Sequence, residues 1–259
     1  MKKMKKVLAL TACASMLVTA SVMGTLAYLT SQDTVVNTFT VGKVNIELDE
    51  AKVNTDGTYA TNHANRVKAN EYHLIPGRTF YKDPTVTVLK GSEDAYVRML
   101  VKVTDMEQLK AVFNDKEYYG ADGVFLLQNL VSDWDSTTWK FEGYTEEDGE
   151  IVVSNTAEGG ESSATEEKRP TKIGVYEFRY FDVVYAEDVN KAEGDGKVLD
   201  DLFETITLPG EDVTSDNIDL LKHVKIDVIA QAIQTVGFEE NGEKTAEDVA
   251  WAAFVAPNK

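Results

Sequence analysis

Apolar and polar residues alternate along much of the chain, and this period of two predicts β-strands. Between residues 172 and 185 both parities carry large apolar side chains, which is typical of a central strand covered on both faces. Short, aromatic-rich strands are also expected within residues 134–156. The remaining predicted strands cover residues 85–88, 97–103, 203–208 and 224–232.

The parity of the alternation changes near the start of this strand-forming region. Apolar side chains fall at odd positions before Gly42 and at even positions after it. A bulge at Gly42 would return the apolar face of the strand to the core, so a bend is predicted there. The residues that carry the pattern are Phe39, Val41, Val44, Ile46 and Leu48.

Glycine, proline and acidic residues separate these segments and predict turns and loops. The turn at 91–94 is expected to close a hairpin between its flanking strands. Polar residues 51–72 are interpreted as a loop, and residues 155–169, rich in Ser, Gly, Thr and Glu, as a mobile surface loop. The other predicted turns are 54–57, 75–78, 146–149 and 193–196.

Three short helices are predicted. Thr104 and Glu107 have the spacing of a capping box, residues 216–221 form a second candidate, and Thr245 opens a terminal helix. The apolar residues expected on the inner sides are Met106, Leu109 and Phe113 in the first helix and Val249, Ala250, Ala253 and Phe254 in the last.

Many strands, few helices and no alternation of strand with helix predict an all-β fold, an antiparallel two-sheet sandwich with a few short helices. Neither an internal repeat nor a clear boundary divides the mature chain, so residues 28–259 are expected to form one domain. That length is sufficient for a sizeable hydrophobic core.

The first 27 residues have the order of an export signal. Four lysines precede the uncharged, mostly apolar stretch 7–23, and Thr25 and Ala27 flank a small-x-small cleavage site, so the mature chain is predicted to begin at Tyr28. Two alternatives are retention of this stretch as a membrane anchor and lipid attachment at Cys13. A secreted, extracellular location is predicted.

Composition narrows the possible functions. The formal net charge is −18, and removal of four signal lysines makes the mature chain more acidic, which argues against a nucleic-acid partner. The only cysteine, Cys13, lies inside the signal, so disulfides and thiol chemistry are not expected in the mature domain.

No catalytic, cofactor-binding or metal site is predicted. Outside the signal the histidines are His63, His73 and His223, without a His-Glu-x-x-His pair, and no Gly-x-Ser-x-Gly elbow occurs. Weak calcium binding by acidic turns is possible, although none has the twelve-residue calcium loop. The acidic groups are Asn54 with Asp56, Asp133 with Asp135, Glu146 with Glu147 and Asp148, and Glu193 with Asp195.

A run of aromatic residues invites a sugar-binding interpretation. Such rings can form a face that stacks on carbohydrate, but packing in the core is the favoured interpretation. The residues are Trp134, Trp139, Tyr176, Phe178 and Tyr180.

Several segments resemble the TasA/camelysin family. Residues 24–30 (Gly-Thr-Leu-Ala-Tyr-Leu-Thr) and 37–42 (Asn-Thr-Phe-Thr-Val-Gly) resemble its signal of the SipW-dependent type and its first strand. Further similar segments lie over nearly the whole mature chain: Ile-Pro-Gly at 75–77, Lys-Asp-Pro-Thr-Val at 82–86, Gly-Ser with Ala-Tyr-Val-Arg within 91–98, Leu-Phe at 202–203 with Ile206, Val-Ile-Ala-Gln-Ala-Ile-Gln at 228–234 and Ala-Trp at 250–251.

The resemblance implies a jelly-roll domain exported with the help of a SipW-type signal peptidase. It also implies a subunit of biofilm matrix fibres, whose partners are other copies of itself and possibly other matrix proteins. Residues 28–41 could add as a strand to a neighbouring sheet, with Val35, Phe39 and Val41 filling pockets. Head-to-tail donation of this kind builds a filament rather than a closed dimer.

Three alternatives remain open at this point. Residues 28–41 could instead be the first strand of their own sandwich. Camelysin-like members imply a secreted metallo-endopeptidase, for which this chain has no ligand motif. The aromatic strands leave room for an adhesin or carbohydrate-binding sandwich.

Overall fold

Ten strands organise the chain in this computed structural model, which describes residues 43–60, 63–70, 72, 75–114, 116–120, 123–125, 127, 130–131, 133–155 and 165–254. The alternating segments of the sequence account for most of them. The strands are β1 (Ile46–Ala51), β2 (Arg66–Val67), β3 (Thr79–Tyr81), β4 (Thr85–Leu89), β5 (Ala95–Val103), β6 (Trp139–Asn155), β7 (Thr165–Tyr180), β8 (Gly196–Val198), β9 (Thr205–Thr207) and β10 (Ile226–Gln234).

Two four-stranded sheets contain eight of these strands, and all their pairings are antiparallel. The long-strand sheet has the order β10-β5-β7-β6. The short-strand sheet has the order β2-β1-β4-β8. Strands β3 and β9 form a separate antiparallel pair.

Buried side chains from both four-stranded sheets form one hydrophobic core. Along β5 every second residue is buried, and Val97, Met99 and Val101 are fully inaccessible. Val86 and Val88 of β4 belong to the same cluster. The period of two therefore sends one face of each strand inward, as the sequence predicted.

The secondary structure is mostly strand in antiparallel sheets with a few short helices, as predicted. The helices are α1 (Met106–Val112), α2 (Ala186–Lys191) and α3 (Ala246–Ala253), with 3₁₀ segments η1 (Lys116–Tyr118) and η2 (Ile218–His223). Among the described residues, no helix has the length and apolarity needed to cross a membrane.

The predicted capping box of α1 is wrong. Asp105, with a left-handed φ of 57°, is the N-cap residue and makes no side-chain cap bond. Its carboxylate instead accepts from Arg169 at 2.5 Å and from Thr171 Oγ1 at 3.2 Å. Thr104 Oγ1 donates to the carbonyl of His223, so long-range bonds displaced the local cap.

The terminal helix begins as predicted, but its buried face differs. Thr245 and Asp248 form a capping box. Ala250 and Trp251 are buried, whereas Ala253 is exposed. The second candidate helix lies two residues later than expected and is the 3₁₀ segment η2.

The hairpin predicted around residues 91–94 is also wrong. β4 pairs with β1 and β8, and β5 pairs with β10 and β7, so this connection crosses from one sheet to the other. Ser92 supports the crossing, since its hydroxyl donates to the carbonyl of Leu89 at 2.7 Å and accepts from the backbone N–H of Asn45 at 3.0 Å.

The acidic segment 146–149 is strand, not a turn. β6 runs through it and pairs continuously with β7 on to Asn155↔Thr165. Lysines opposite the acids favour this pairing, with Lys172 bound to Asp148 at 2.5 Å and Lys110 bound to Glu146. Residues 165–169 of the predicted surface loop are likewise strand, and residues 156–164 lie outside the described residues.

Smaller elements departed from the predictions at their ends. β7 ends at Tyr180 rather than at residue 185, and Phe181 is 55% exposed. The short strands β2, β3 and β8 were not predicted, because two or three residues hold too little pattern to detect, and the six-residue helix α2 was not predicted either.

The predicted turn at 54–57 is present. The N–H of Gly57 donates to the carbonyl of Asn54 at 2.8 Å, and φ of Gly57 is +81°. A Cβ atom there would lie 2.2 Å from the Phe80 ring, so glycine is required for both backbone and packing.

Candidate functional site

The residues predicted to act in export and strand donation lie outside the described residues. They are Thr25, Ala27 and Tyr28 at the cleavage site and Val35, Phe39 and Val41 in the donor segment. The predicted bend at Gly42 and the histidine His73 lie outside as well. The described residues instead contain the surface to which such a strand could add.

A groove runs between β1 of the short-strand sheet and β10 of the long-strand sheet. Residues 48–50 line it on one side and residues 226–228 on the other. Its volume is about 920 Å³, near the upper end of the ~300–1,000 Å³ that is usual for ligand sites. The groove therefore lies where β1 and β10, one strand from each sheet, approach each other.

Both flanking strands have open edges. β10 pairs with β5 on one side, and within the described residues no strand pairs with its other side. β1 pairs with β4 over residues 46–49 but with β2 only at residues 50–51. Backbone N–H and C=O groups on such edges can pair with an added strand.

The lining of the groove is largely apolar, with exposed charges at its margins and a buried ion pair, Lys82 with Glu50. Leu109 and Leu221 are buried members of the core cluster. A largely apolar lining with charged margins suits an amphipathic strand that buries every second side chain. The apolar lining also includes Leu48, Phe80, Leu130, Ile206, Leu208, Val224, Ile226 and Val228, and the charged residues include Asp49, Lys68, Asp219, Lys222, Lys225 and Asp227.

A lysine covers the open edge of β1. Lys68 Nζ donates to the backbone carbonyl of Leu48 at 3.0 Å and to Glu47 Oε1 at 2.5 Å. This ion pair is exposed, so it contributes little to stability. A lysine on a sheet edge opposes indiscriminate strand pairing, and a mobile one can be displaced by a correct partner.

A buried polar cluster supports the same end of β1. Asp83 is 6% exposed and accepts from the backbone N–H of Ala51 and from Arg66 Nη1, both at 2.6 Å. Arg66 Nε also donates to Asp49 at 2.8 Å. These bonds fix β1 against β2 where strand pairing is short.

In the acidic turns at 54–56 and 133–135, the carboxylates considered for calcium already have protein partners. Thr58 donates to Asp56, and Thr137 and Thr138 donate to Asp135; these hydrogen bonds lower the pKa of both carboxyl groups. Asp133 accepts from the backbone N–H of Glu204 at 3.2 Å.

In the part of the chain that the structure describes, no cluster of three or more potential metal-ligating side chains occurs. Weak calcium binding stays a prediction.

The two described histidines lie in different surroundings. The ring of His63 lies against Tyr59 at an interplanar angle of 44° with ring centroids 3.9 Å apart, and its Nδ1 is 4.0 Å from Asp83. His223 has a buried Nε2 without a hydrogen-bond partner. Burial, followed by the charges of Lys222 and Arg169, lowers the pKa of His223.

The aromatic run packs in the core, as favoured from the sequence. Trp139, Tyr176 and Phe178 are at most 4% exposed, and Tyr176 donates its hydroxyl to the carbonyl of Phe125 at 2.9 Å. Trp134 meets Phe178 edge-on with centroids 5.3 Å apart. A cavity of about 160 Å³ lies among these rings, closer to a packing gap than to a sugar platform.

Sequence reasoning missed both the groove and the polar clusters beside it. β1 and β10 are separated by most of the chain, and Asp83 is far from Ala51 and Arg66 in sequence. The apolar groove residues alternate like ordinary core positions. The predicted polar loop 51–72 includes Arg66, Lys68 and Asn70, and its composition gave no signal for their long-range contacts.

Searches for relatives leave the family open: no family model matches the chain, and no curated protein matches it.

Proposed function

We propose that this protein is a secreted structural subunit of an extracellular matrix fibre, assembled by strand addition. Residues 28–41 of one subunit enter the groove between β1 and β10 of the next. The observation that carries the proposal is a groove with a largely apolar lining, bordered by β1 and β10, whose outer edges are partly or wholly unpaired within the described residues.

Lengths support this pairing. β10 offers nine residues, which correspond to about 30 Å of edge at ~3.3 Å per residue. The fourteen residues from 28 to 41 can cover that edge and leave a short connection to β1. The same chain thus supplies a strand of suitable length and a groove to receive it.

The pattern of the donor segment supports the same pairing. Val35, Phe39 and Val41 share one parity, so an extended segment presents them on one face. That face suits the leucine and isoleucine side chains of the groove. Polar residues at even positions, such as Thr38 and Thr40, would face outward.

The subunit itself is proposed to be a jelly-roll sandwich formed by the two four-stranded sheets. Their shared core and the crossing between β4 and β5 support that arrangement. Family resemblance, export signal and acidic charge support secretion and cleavage by a SipW-type peptidase.

Electron microscopy of the chain 28–259 beside the chain 42–259 tests the proposal. We expect filaments only from the longer chain, because the shorter one keeps the groove and lacks the donor. A peptide of residues 28–41 should bind the shorter chain, measured by calorimetry. The matched control is the same peptide with Phe39→Asp, which places a charge on the buried face.

Filaments from the chain 42–259 would refute strand donation. Equal binding of the native and Phe39→Asp peptides would refute the groove as acceptor. Circular dichroism of both chains confirms that the truncation leaves the strands folded.

A further inference from the structure

The lining of the groove includes a group of three polar side chains, Glu50, Asn70 and Lys82, of which the first and last are buried and Asn70 is half-buried. Glu50 is 5% exposed and Lys82 is 9% exposed. Lysine is rarely buried to this extent, because removing its charge from water is costly. Glu50 belongs to β1, Asn70 follows β2, and Lys82 lies between β3 and β4.

The carboxylate of Glu50 binds the side-chain nitrogen atoms of both Lys82 and Asn70. Lys82 Nζ lies 2.5 Å from Glu50 Oε2, and Asn70 Nδ2 donates to Glu50 Oε1 at 2.9 Å. The amine of the lysine and the amide of the asparagine are therefore brought to opposite oxygens of the same acid.

Backbone groups fix the asparagine amide in one orientation. Its Oδ1 accepts from the N–H of Val53 at 3.0 Å, and its Nδ2 also donates to the carbonyl of Ala51 at 2.9 Å. A donor on the carbonyl oxygen withdraws electron density from Cγ and stabilises negative charge that develops on that oxygen. An acid on the nitrogen can supply the proton that a leaving amine needs.

The neighbouring carboxylate is not a competing partner for the lysine. Asp83 is engaged by Arg66 and by the N–H of Ala51. The ring of Tyr72 lies 5.9 Å from Lys82 Nζ, and burial together with the charge of Glu50 raises the pKa of its phenol. The cluster thus pairs one lysine with one acid beneath a neutral aromatic ring.

We propose that Lys82 and Asn70 become joined by a side-chain amide bond, formed by the folded protein itself with Glu50 as the proton carrier. Lysine, asparagine and acid residues are all supplied by the chain, and no cofactor is needed.

The reaction balances as an exchange of one amine for another. Lys82 passes a proton from Nζ to Glu50, and the neutral amine attacks Cγ of Asn70. Glu50 then gives its proton to Nδ2 and takes a second one from Nζ. The Cγ–Nδ2 bond breaks, ammonia leaves, and a Cγ–Nζ amide remains.

The position of this bond gives it a structural consequence. It would tie the segment after β2 to the segment before β4, across β1, where the short-strand sheet has little backbone pairing. Outside the predicted signal the chain has no cysteine, so disulfides cannot supply such a tie. The bond would form within one subunit, although its three residues line the groove that is proposed to accept a donor strand, and its mass change can be measured whether or not fibres form.

Intact-mass spectrometry of the purified, folded protein tests the proposal. We expect a mass about 17 Da below that of the sequence, from loss of ammonia. After tryptic digestion, the peptide 69–78 should appear joined to the peptide 79–90, because cleavage at Lys82 is blocked. Glu50→Gln and Lys82→Arg should each restore the full mass.

The matched control is Lys68→Arg, in the exposed Lys68–Glu47 pair nearby, which should keep the mass loss. A full mass for the unaltered protein overturns the proposal whether or not the variants fold. So does a mass loss confined to a single linear peptide, which would indicate a cyclised asparagine instead of a cross-link.

Discussion

The two four-stranded sheets are held together in different ways. The strands of the long-strand sheet have nine to seventeen residues, and its central strand β5 buries five side chains that are all apolar. The strands of the short-strand sheet have two to six residues, and buried Glu50, Lys82 and Asp83 lie at the ends of its two inner strands, β1 and β4. The long-strand sheet is stabilised mainly by hydrophobic burial, with a buried polar bond between Thr171 and Asp105, whereas the short-strand sheet depends more on buried polar bonds.

Because of that difference, the two sheets should tolerate different substitutions. Apolar cores lose stability in proportion to the volume removed, and related side chains can replace one another. A buried polar group needs its own partner, since an unpaired donor or acceptor is costly. The stability of this polar part of the short-strand sheet should therefore depend on the chemical identity of its side chains, even when their size is unchanged.

The largest expected effect is at the centre of the long-strand sheet. Met99→Ala removes a fully buried side chain from β5 and leaves a cavity. We expect a loss of about 3 kcal/mol in the free energy of unfolding, measured by urea denaturation. Val152→Ala in β6, at a side chain that is 53% exposed, is the control and should change stability by less than about 0.5 kcal/mol. Equal losses would remove the contrast between core and surface.

An intermediate effect is expected in the polar part of the short-strand sheet, around Asp83. Asp83→Asn keeps the size of the side chain but cannot accept from both Ala51 and Arg66. We expect a loss of about 2 kcal/mol by the same measurement. The control is Asp188→Asn, an exposed residue 3.8 Å from Lys197, with a loss below about 0.5 kcal/mol. Unchanged stability of Asp83→Asn would show that this part of the sheet does not depend on the charge of Asp83.

The smallest effect concerns the helix on the long-strand sheet. Asp248 caps α3 and binds Arg179 of β7 at 2.7 Å, and these bonds lower its pKa to about 2 from 3.8. A lowered carboxyl pKa contributes stability that is present above pH 3.8 and is lost as the pH falls towards 2.

Asp248→Asn should therefore cost about 1 kcal/mol at pH 6, and its difference from the unaltered protein should shrink at lower pH. Thermal unfolding between pH 6 and pH 2 measures this. Asp182→Asn, at an exposed position, should follow the unaltered protein throughout. A constant difference across the pH range would assign the effect of Asp248 to something other than its charge.

The sequence predicted the long-strand sheet better than the short-strand sheet. The alternation at 97–103 and 224–232 identifies β5 and β10 because each has enough residues to show a period. β2 and β8 have two and three residues, and their pairing is set by contacts with β1 and β4. The local alternation of apolar and polar residues does not indicate such contacts.

The acidic stretch in β6 shows a second limit. Residues 146–149 have the composition of a turn, yet lysines on β7 and α1 neutralise them in strand form. The polar cluster of Glu50, Asn70 and Lys82 shows the same limit, because its members are apart in sequence and each is unremarkable alone. Partners distant in sequence decide these positions.

The groove is bordered by the first and the last described strands, β1 and β10. During synthesis, β1 emerges from the ribosome long before the residues that complete the opposite border. A groove bordered by these two strands exists only once the chain has been translated through β10. If the groove accepts a donor strand as proposed, shorter nascent chains are unable to capture their neighbours.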